Sequence, residues 1–323
     1  MTKQDAKWCV YLTRKVAAEI VERLQEIAQV EVWEGDGPVP RDVLLKKVEK
    51  ADALFAMLTD RIDEDLLKRA ERLQIVANMA VGYDNIDVAA AKKRGIVVTN
   101  TPDVLTEATA DLAFALLLAA GRRLVEANRF LHAGEWKTWS PYLMAGQSVH
   151  GAKLGIIGMG RIGEAVAKRA KGFDMSLLYH NRRRNMAAER VTGARYCGLD
   201  ELLQESDYVV LLTPLTPQTR ELMGAREFSL MKPSSVFINV SRGGTVNEEA
   251  LYQALVTKQI WAAGLDVFQQ EPVPVDHPLL SLPNVVALPH IGSATYQART
   301  QMARLAADNI VAVLTGREPI SPV

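Results

Sequence analysis

Three glycines, Gly158, Gly160 and Gly163, lie between an apolar run (Leu154–Ile157) and an Ala-rich amphipathic stretch, with a second apolar run (Met175–Tyr179) beyond. Strand, tight turn, helix, strand is the setting in which Gly-x-Gly-x-x-Gly binds the pyrophosphate of a dinucleotide. Gly158 permits the sharp turn, Gly160 lets main chain approach the phosphates, and Gly163 lets the helix pack close to the sheet. Arg161 and Ile162 complete the turn at the helix N-terminus, where exposed N–H groups favour an anion. After the second strand, where Asp or Glu usually holds the ribose 2′-OH of NAD, stands Asn181, followed by Arg182, Arg183 and Arg184. A carboxylate there would repel a 2′-phosphate, whereas guanidinium groups bind one as a fork. A charge run also suits a plain solvated turn. Its place at the ribose end, with no acid present, favours NADPH and leaves NADH possible.

A nicotinamide enzyme acting on a carbonyl needs a proton donor for the oxygen, a cation to hold the substrate, and a group that tunes the donor. Such groups belong on loops at the C-terminal ends of strands. Three loops qualify: Ser241-Arg242-Gly243-Gly244 after the run Val236–Val240, Val267 to Pro272 (with Glu271) after Ala262–Asp266, and Pro289-His290 after Val285–Leu288. Of the five histidines, only His290 directly follows an apolar strand-like run at a domain crossing; His132, His150, His180 and His277 do not.

The elements that must position these groups alternate from end to end, as in parallel α/β sheets. Trp8–Leu12, Val30–Val32, Ala53–Ala56, Ile75–Ala77 and Ile96–Thr99 read as strands of one doubly wound unit, with helices such as Ala17–Ala28 and Asp63–Ala70 between them. Leu154–Ile157, Ser176–Tyr179, Tyr208–Leu212, Val236–Val240, Ala262–Asp266 and Val285–Leu288 make a second. Crossings near Thr101-Pro102 and after Pro289-His290, with a final helix at about Tyr296–Leu314, imply a hinge and a cleft. The expected domains are 1–101 with 292–323 for substrate, and 102–291 for the dinucleotide. Residues 121–150 read as an exposed arm whose Trp136, Trp139 and Tyr142 suggest a homodimer, or else as a loop packed on its own domain.

Composition removes other classes. Lys plus Arg and Asp plus Glu balance at 38 each, so no global field attracts nucleic acid or an anionic membrane. The longest apolar run, Leu112–Ala120, is too short to span a bilayer and reads as a buried helix. Cys9 and Cys197 have no metal spacing and read as free thiols, and no secretion signal is visible, which points to a cytoplasmic protein. No grouping has metal-ligand spacing and no Gly-x-Ser-x-Gly occurs.

Taken together, Gly158–Gly163, VSRGGTVNEEAL (240–251), GLDVFQQEP (264–272), PHIGSAT (289–295) and AVGYDNID (80–87) resemble the D-isomer-specific 2-hydroxyacid dehydrogenase family over essentially the whole chain. TWSPYLMAG (138–146) and the basic residues at 182–184 are most similar to its glyoxylate/hydroxypyruvate reductases. The resemblance implies a Rossmann dinucleotide-binding domain inserted in a flavodoxin-like substrate domain, both doubly wound parallel sheets. It makes His290 the acid/base, Glu271 its partner and Arg242 the substrate cation. The chemistry agrees: a carboxylate beside an imidazole favours the charged ring, and a planar fork holds a 2-oxo acid better than Lys. Val81 and Gly82 would offer main-chain N–H groups to the carboxylate, and Leu58 would touch the C3 side. Thr213 and Pro214 should lie along the adenosine half of the cofactor. Val240, Ser241 and Asp266 should face the nicotinamide half, where Asp266 accepts from the carboxamide or caps the following turn. Asn247 departs from the family's more frequent Asp, but either caps a helix. The expected reaction is NADPH-dependent reduction of glyoxylate or hydroxypyruvate. The alternatives are a longer 2-keto acid such as 2-ketogluconate, and a dinucleotide-sensing binding protein like the family's co-repressors.

Overall fold

The computed structural model describes residues 8–323; the segment Met1–Lys7, part of the stretch expected to lack a secretion signal, lies outside the described residues. The chain divides into two compact units, one of residues up to 105 together with 294–323, the other of 106–293.

In the first unit β1 (Trp8–Leu12), β2 (Ala28–Val32), β3 (Ala53–Ala56), β4 (Ile75–Asn78) and β5 (Val97–Thr99) form a parallel sheet in the order β2-β1-β3-β4-β5. β3 and β4 are buried at every position, as strands covered on both faces must be. The helix expected over Ala17–Ala28 ends at Gln25, because Ala28 already enters β2 beside Trp8. The chain's last helix, Tyr296–Leu314, brings Ala303, Ala307 and Ile310 into one apolar cluster with Val10, Phe55 and Ile75. The first unit's core is therefore completed by the end of the chain.

In the second unit β6 (Lys153–Ile157), β7 (Ser176–His180), β8 (Arg195–Tyr196), β9 (Tyr208–Leu211), β10 (Val236–Asn239), β11 (Ala262–Leu265) and β12 (Val285–Ala287) are all parallel, ordered β12-β11-β10-β9-β6-β7-β8. β8 was not expected. Its two residues pair with Leu178 and Tyr179 and are too few to show a strand's periodicity. The chain runs outward from β6 to β7 and β8, then returns to the other side of β6 with β9. That reversal is the switch point at which doubly wound sheets bind ligands. Helix Thr106–Gly121, which holds the run Leu112–Ala120, buries Ala113, Leu116 and Leu117 against this sheet. No helix among the described residues is long and apolar enough to cross a membrane. Residues 121–150 include a helix, Leu124–His132, with no buried residue, and Trp136, Trp139 and Tyr142 are 56%, 75% and 86% exposed.

Candidate active site

Strand order sets the site of the second unit. Reading across the sheet from β12 to β7, the loops after consecutive strands carry His290, Asp266 and Glu271, Arg242, Thr213 and Pro214, the glycine turn, and Asn181 to Arg183. Groups far apart in sequence thus share one edge, because parallel strands all present their C-terminal ends on the same side.

The glycine turn has the shape a dinucleotide requires. Gly158 adopts φ 108°, and a Cβ there would come within 2.8 Å of the Leu212 carbonyl carbon. A Cβ on Gly163 would collide with the Gly158 carbonyl oxygen. Beside Gly160, by contrast, the space is open, and it caps helix Arg161–Lys171 with no side-chain bond to the first amides. Open space before the first N–H groups of a helix is a cradle for phosphate. The buried Thr213 Oγ1 has no partner among the described residues, as expected of a group awaiting a ligand. These residues fit a nicotinamide dinucleotide.

The ribose end is more finely divided than its sequence suggests. Asn181, expected at the ribose, turns its amide onto the glycine turn: Oδ1 accepts from Met159 N (2.7 Å) and Nδ2 donates to Met159 O (3.3 Å). Arg184 is paired with Glu189 through two bonds of 2.7 and 2.8 Å, and Glu189 also accepts from the Tyr179 hydroxyl. These bonds hold the Glu189 carboxyl down at about 2, the Arg184 bond counting most and that of Tyr179 next. Arg182 and Arg183 are exposed and have no hydrogen-bond or ion-pair partner among the described residues. One arginine braces the turn, and two are available to an anion.

At the other end of the sheet His290 Nδ1 lies 2.6 Å from Glu271 Oε2, with the two side chains 23% and 27% exposed. The second Glu271 oxygen accepts from Phe268 N at 3.0 Å. Burial pushes the Glu271 carboxyl up, but the hydrogen bond and charge of His290, the Phe268 amide and the Arg242 charge together bring it below its ordinary value. Glu271 is therefore an anion at neutral pH. With Nδ1 engaged, Nε2 is the ring atom left for a reacting oxygen.

Arg242 is half-buried on the loop after β10. Its carbonyl accepts from Asn239 Nδ2 (3.1 Å) and Thr245 Oγ1, and its Nη1 donates to Ser241 O (2.8 Å). The next residue, Gly243, abuts the Phe268 main chain so closely that a Cβ would overlap it, which locks the Arg242 loop to the Glu271 loop. Val240 and Ser241 are buried, and the Ser241 hydroxyl donates to Asn239 Oδ1 at 2.8 Å. Asn247 caps its helix as expected, accepting from Ala250 N at 2.9 Å.

Asp266 has a role that neither of its sequence-based expectations named. It is 1% exposed; Oδ1 accepts from Ile291 N and Oδ2 from Gly292 N, each at 2.7 Å, and its carbonyl accepts from His290 N at 2.9 Å. His290 itself has φ 54°, a left-handed conformation disfavoured for a residue with a Cβ. Asp266 thus holds the strained segment that carries the imidazole. Sequence reading also missed Asn239; its signal is the one polar residue ending the otherwise apolar strand VFIN. In the first unit, Leu58 is half-buried just beyond β3, and Val81 and Gly82 lie in the loop after β4.

Known proteins share this sequence and this fold. Residues 114–292 match the family described as D-isomer specific 2-hydroxyacid dehydrogenase, NAD binding domain. The chain belongs to that family and is a nicotinamide-dependent dehydrogenase. Among its relatives, the glyoxylate reductases of Thermococcus gammatolerans and Pyrococcus furiosus are 51% and 49% identical over 96% of this chain, covering 94% and 93% of their own. A Thermus thermophilus protein superposes with TM-score 0.92 at 46% identity, covering 98% of this chain and 99% of the other. The NADPH-dependent glyoxylate/hydroxypyruvate reductase of Sinorhizobium meliloti, solved with NADP and malonate, gives TM-score 0.85 at 36% identity, with 98% and 97% covered.

Proposed function

We propose that this protein reduces glyoxylate or hydroxypyruvate with NADPH, giving glycolate or D-glycerate. The observation that carries the reading is the His290–Glu271 pair, with Arg242 charged beside it, on the sheet edge that also bears the glycine turn. When bound, the reduced nicotinamide supplies the hydride to the C2 carbonyl carbon. Arg242 holds the 2-oxo acid by a planar fork and draws electron density from its carbonyl. His290 donates a proton through Nε2 to the oxygen as charge develops there, and Glu271 stabilises the imidazolium beforehand and orients the ring. Val81 and Gly82 offer main-chain N–H groups to the substrate carboxylate, and Leu58 meets the C3 side. Asp266, Val240 and Ser241 border the nicotinamide half; Thr213 and Pro214 border the adenosine half. The unpartnered Arg182 and Arg183 support a 2′-phosphate and hence NADPH over NADH, while the names of the relatives support the substrates. The exposed aromatics of residues 121–150 support a homodimer, and the two free cysteines suit a reducing compartment such as the cytoplasm.

The test is steady-state kinetics with NADPH and NADH against glyoxylate, hydroxypyruvate, 2-ketogluconate and pyruvate. The highest kcat/KM is expected for NADPH with glyoxylate or hydroxypyruvate. A preference for 2-ketogluconate would replace the substrate assignment. His290→Ala should lower kcat about a hundredfold or more with NADPH binding retained; wild-type turnover would remove His290 from the chemistry.

A further inference from the structure

Three successive carbonyls of the loop after β4 are taken by donors of the same unit. Ala80 O accepts from Thr101 N at 2.9 Å, Val81 O from Asn100 Nδ2 at 2.8 Å, and Gly82 O from Asn78 Nδ2 at 2.9 Å. A trans peptide points its C=O and N–H in opposite directions. Each donor therefore turns the following N–H, that of Val81, Gly82 or Tyr83, away from itself, and none of the three has an acceptor among the described residues. Successive main-chain N–H groups facing one way form a concave site for an anion.

Its supports are themselves fixed. Asn78 is fully buried, and its Nδ2 also reaches Asn85 Oδ1 at 3.4 Å. Asn85 in turn donates to Met57 O (3.1 Å) and Asp60 O (2.9 Å), which ties the loop to the one after β3. Asn100 has its main chain held independently: its N donates to Ser321 O at 3.2 Å and its carbonyl accepts from Ser321 Oγ at 2.7 Å.

We propose that Asn78 and Asn100 are positioning residues for carboxylate recognition: without touching substrate, they hold two successive loop carbonyls, those of Gly82 and Val81, so that the loop's N–H groups meet the acid group of a 2-oxo acid. The inference rests on the functional reading above and deepens it. Selectivity for an acid over an uncharged carbonyl compound is set partly by two side-chain amides, one buried and one half-buried, that never meet the ligand.

The experiment compares wild type with Asn100→Ala, Asn100→Asp and Asn78→Asp on glyoxylate and on its uncharged methyl ester, with NADPH. The aspartates keep the shape but remove the donor. Because Ser321 holds the Asn100 main chain, the loop path should survive in the Asn100 variants, and circular dichroism checks that. The expected result is a KM for glyoxylate raised about tenfold, a smaller change in kcat, and an acid-over-ester ratio in kcat/KM reduced by a similar factor. Equal losses on acid and ester, or an unchanged KM, would overturn the inference and leave the functional reading intact. If the wild type turns over neither glyoxylate nor hydroxypyruvate, the functional reading fails and takes the inference with it.

Discussion

Two opposing influences act on the Glu271 carboxylate, and their balance can be measured. Burial favours the neutral acid, while His290, the Phe268 amide and Arg242 favour the anion and prevail. A carboxyl held below its unfolded value stabilises the fold above that value, and the contribution disappears as pH falls through the folded one. Wild type should therefore be more stable than Glu271→Gln at neutral pH. Below about pH 4.5 the gap should close as the pH falls through the folded value of the carboxyl. Urea unfolding at stepped pH reads this directly, and a gap that does not vary with pH would refute the assignment. The same variant should lose about 10- to 100-fold in kcat, since a neutral amide orients the ring without stabilising its charge. At the opposite end of the sheet, Arg182→Ala with Arg183→Ala should bring the NADPH and NADH efficiencies together, mainly by raising the KM for NADPH. Arg184→Ala should act mainly on stability, because its partner is Glu189. An unchanged cofactor ratio in the double variant would sink the 2′-phosphate role.

One device recurs at the scale of elements. β4 (IVAN) and β10 (VFIN) both end in an Asn, 0% and 1% exposed, which folds back onto a carbonyl of its own following loop. Asp266, just past β11, does the complementary work by accepting main-chain amides. A buried polar group at a strand's C-terminal end thus shapes the loop that carries chemistry, and it stays there because each bond removes a desolvation penalty. Asp266→Asn puts an NH2 group where an amide N–H already points. It should cost about 2 kcal/mol of stability and lower kcat, because the left-handed His290 segment loses one of its holds. Thermal unfolding and single-turnover rates check both, and a variant equal to wild type in each would show the clamp to be dispensable. These strand-end residues were only partly legible in the sequence. The period of an apolar strand reveals a polar residue at its end, but not which carbonyl that residue will reach.

For the whole molecule, the exposed Trp139 and Tyr142 are large apolar groups that a monomer would leave in water. Trp139→Ser with Tyr142→Ser should shift a homodimer toward monomer in sedimentation velocity. A wild type that sediments as a monomer at micromolar concentration would refute the dimer. The two parallel-sheet units, the glycine turn and the three loops bearing Arg242, Glu271 and His290 were legible in the order of residues. Those features rest on local pattern: apolar period, glycine spacing, and the rule that loops after parallel strands gather at one edge. It took the folded chain to show that Arg184 braces while Arg182 and Arg183 stay available, that Asn181 steadies the glycine turn, and that β8 forms. The fold also revealed Asp266, Asn239, Asn78 and Asn100 as the residues holding the loops. The physical reason is the range of the forces. Backbone propensity acts over a few residues and can be read in order, whereas a buried polar side chain takes the partner that folding brings to it. For Asp266 that partner lies 25 residues away, on another strand's loop.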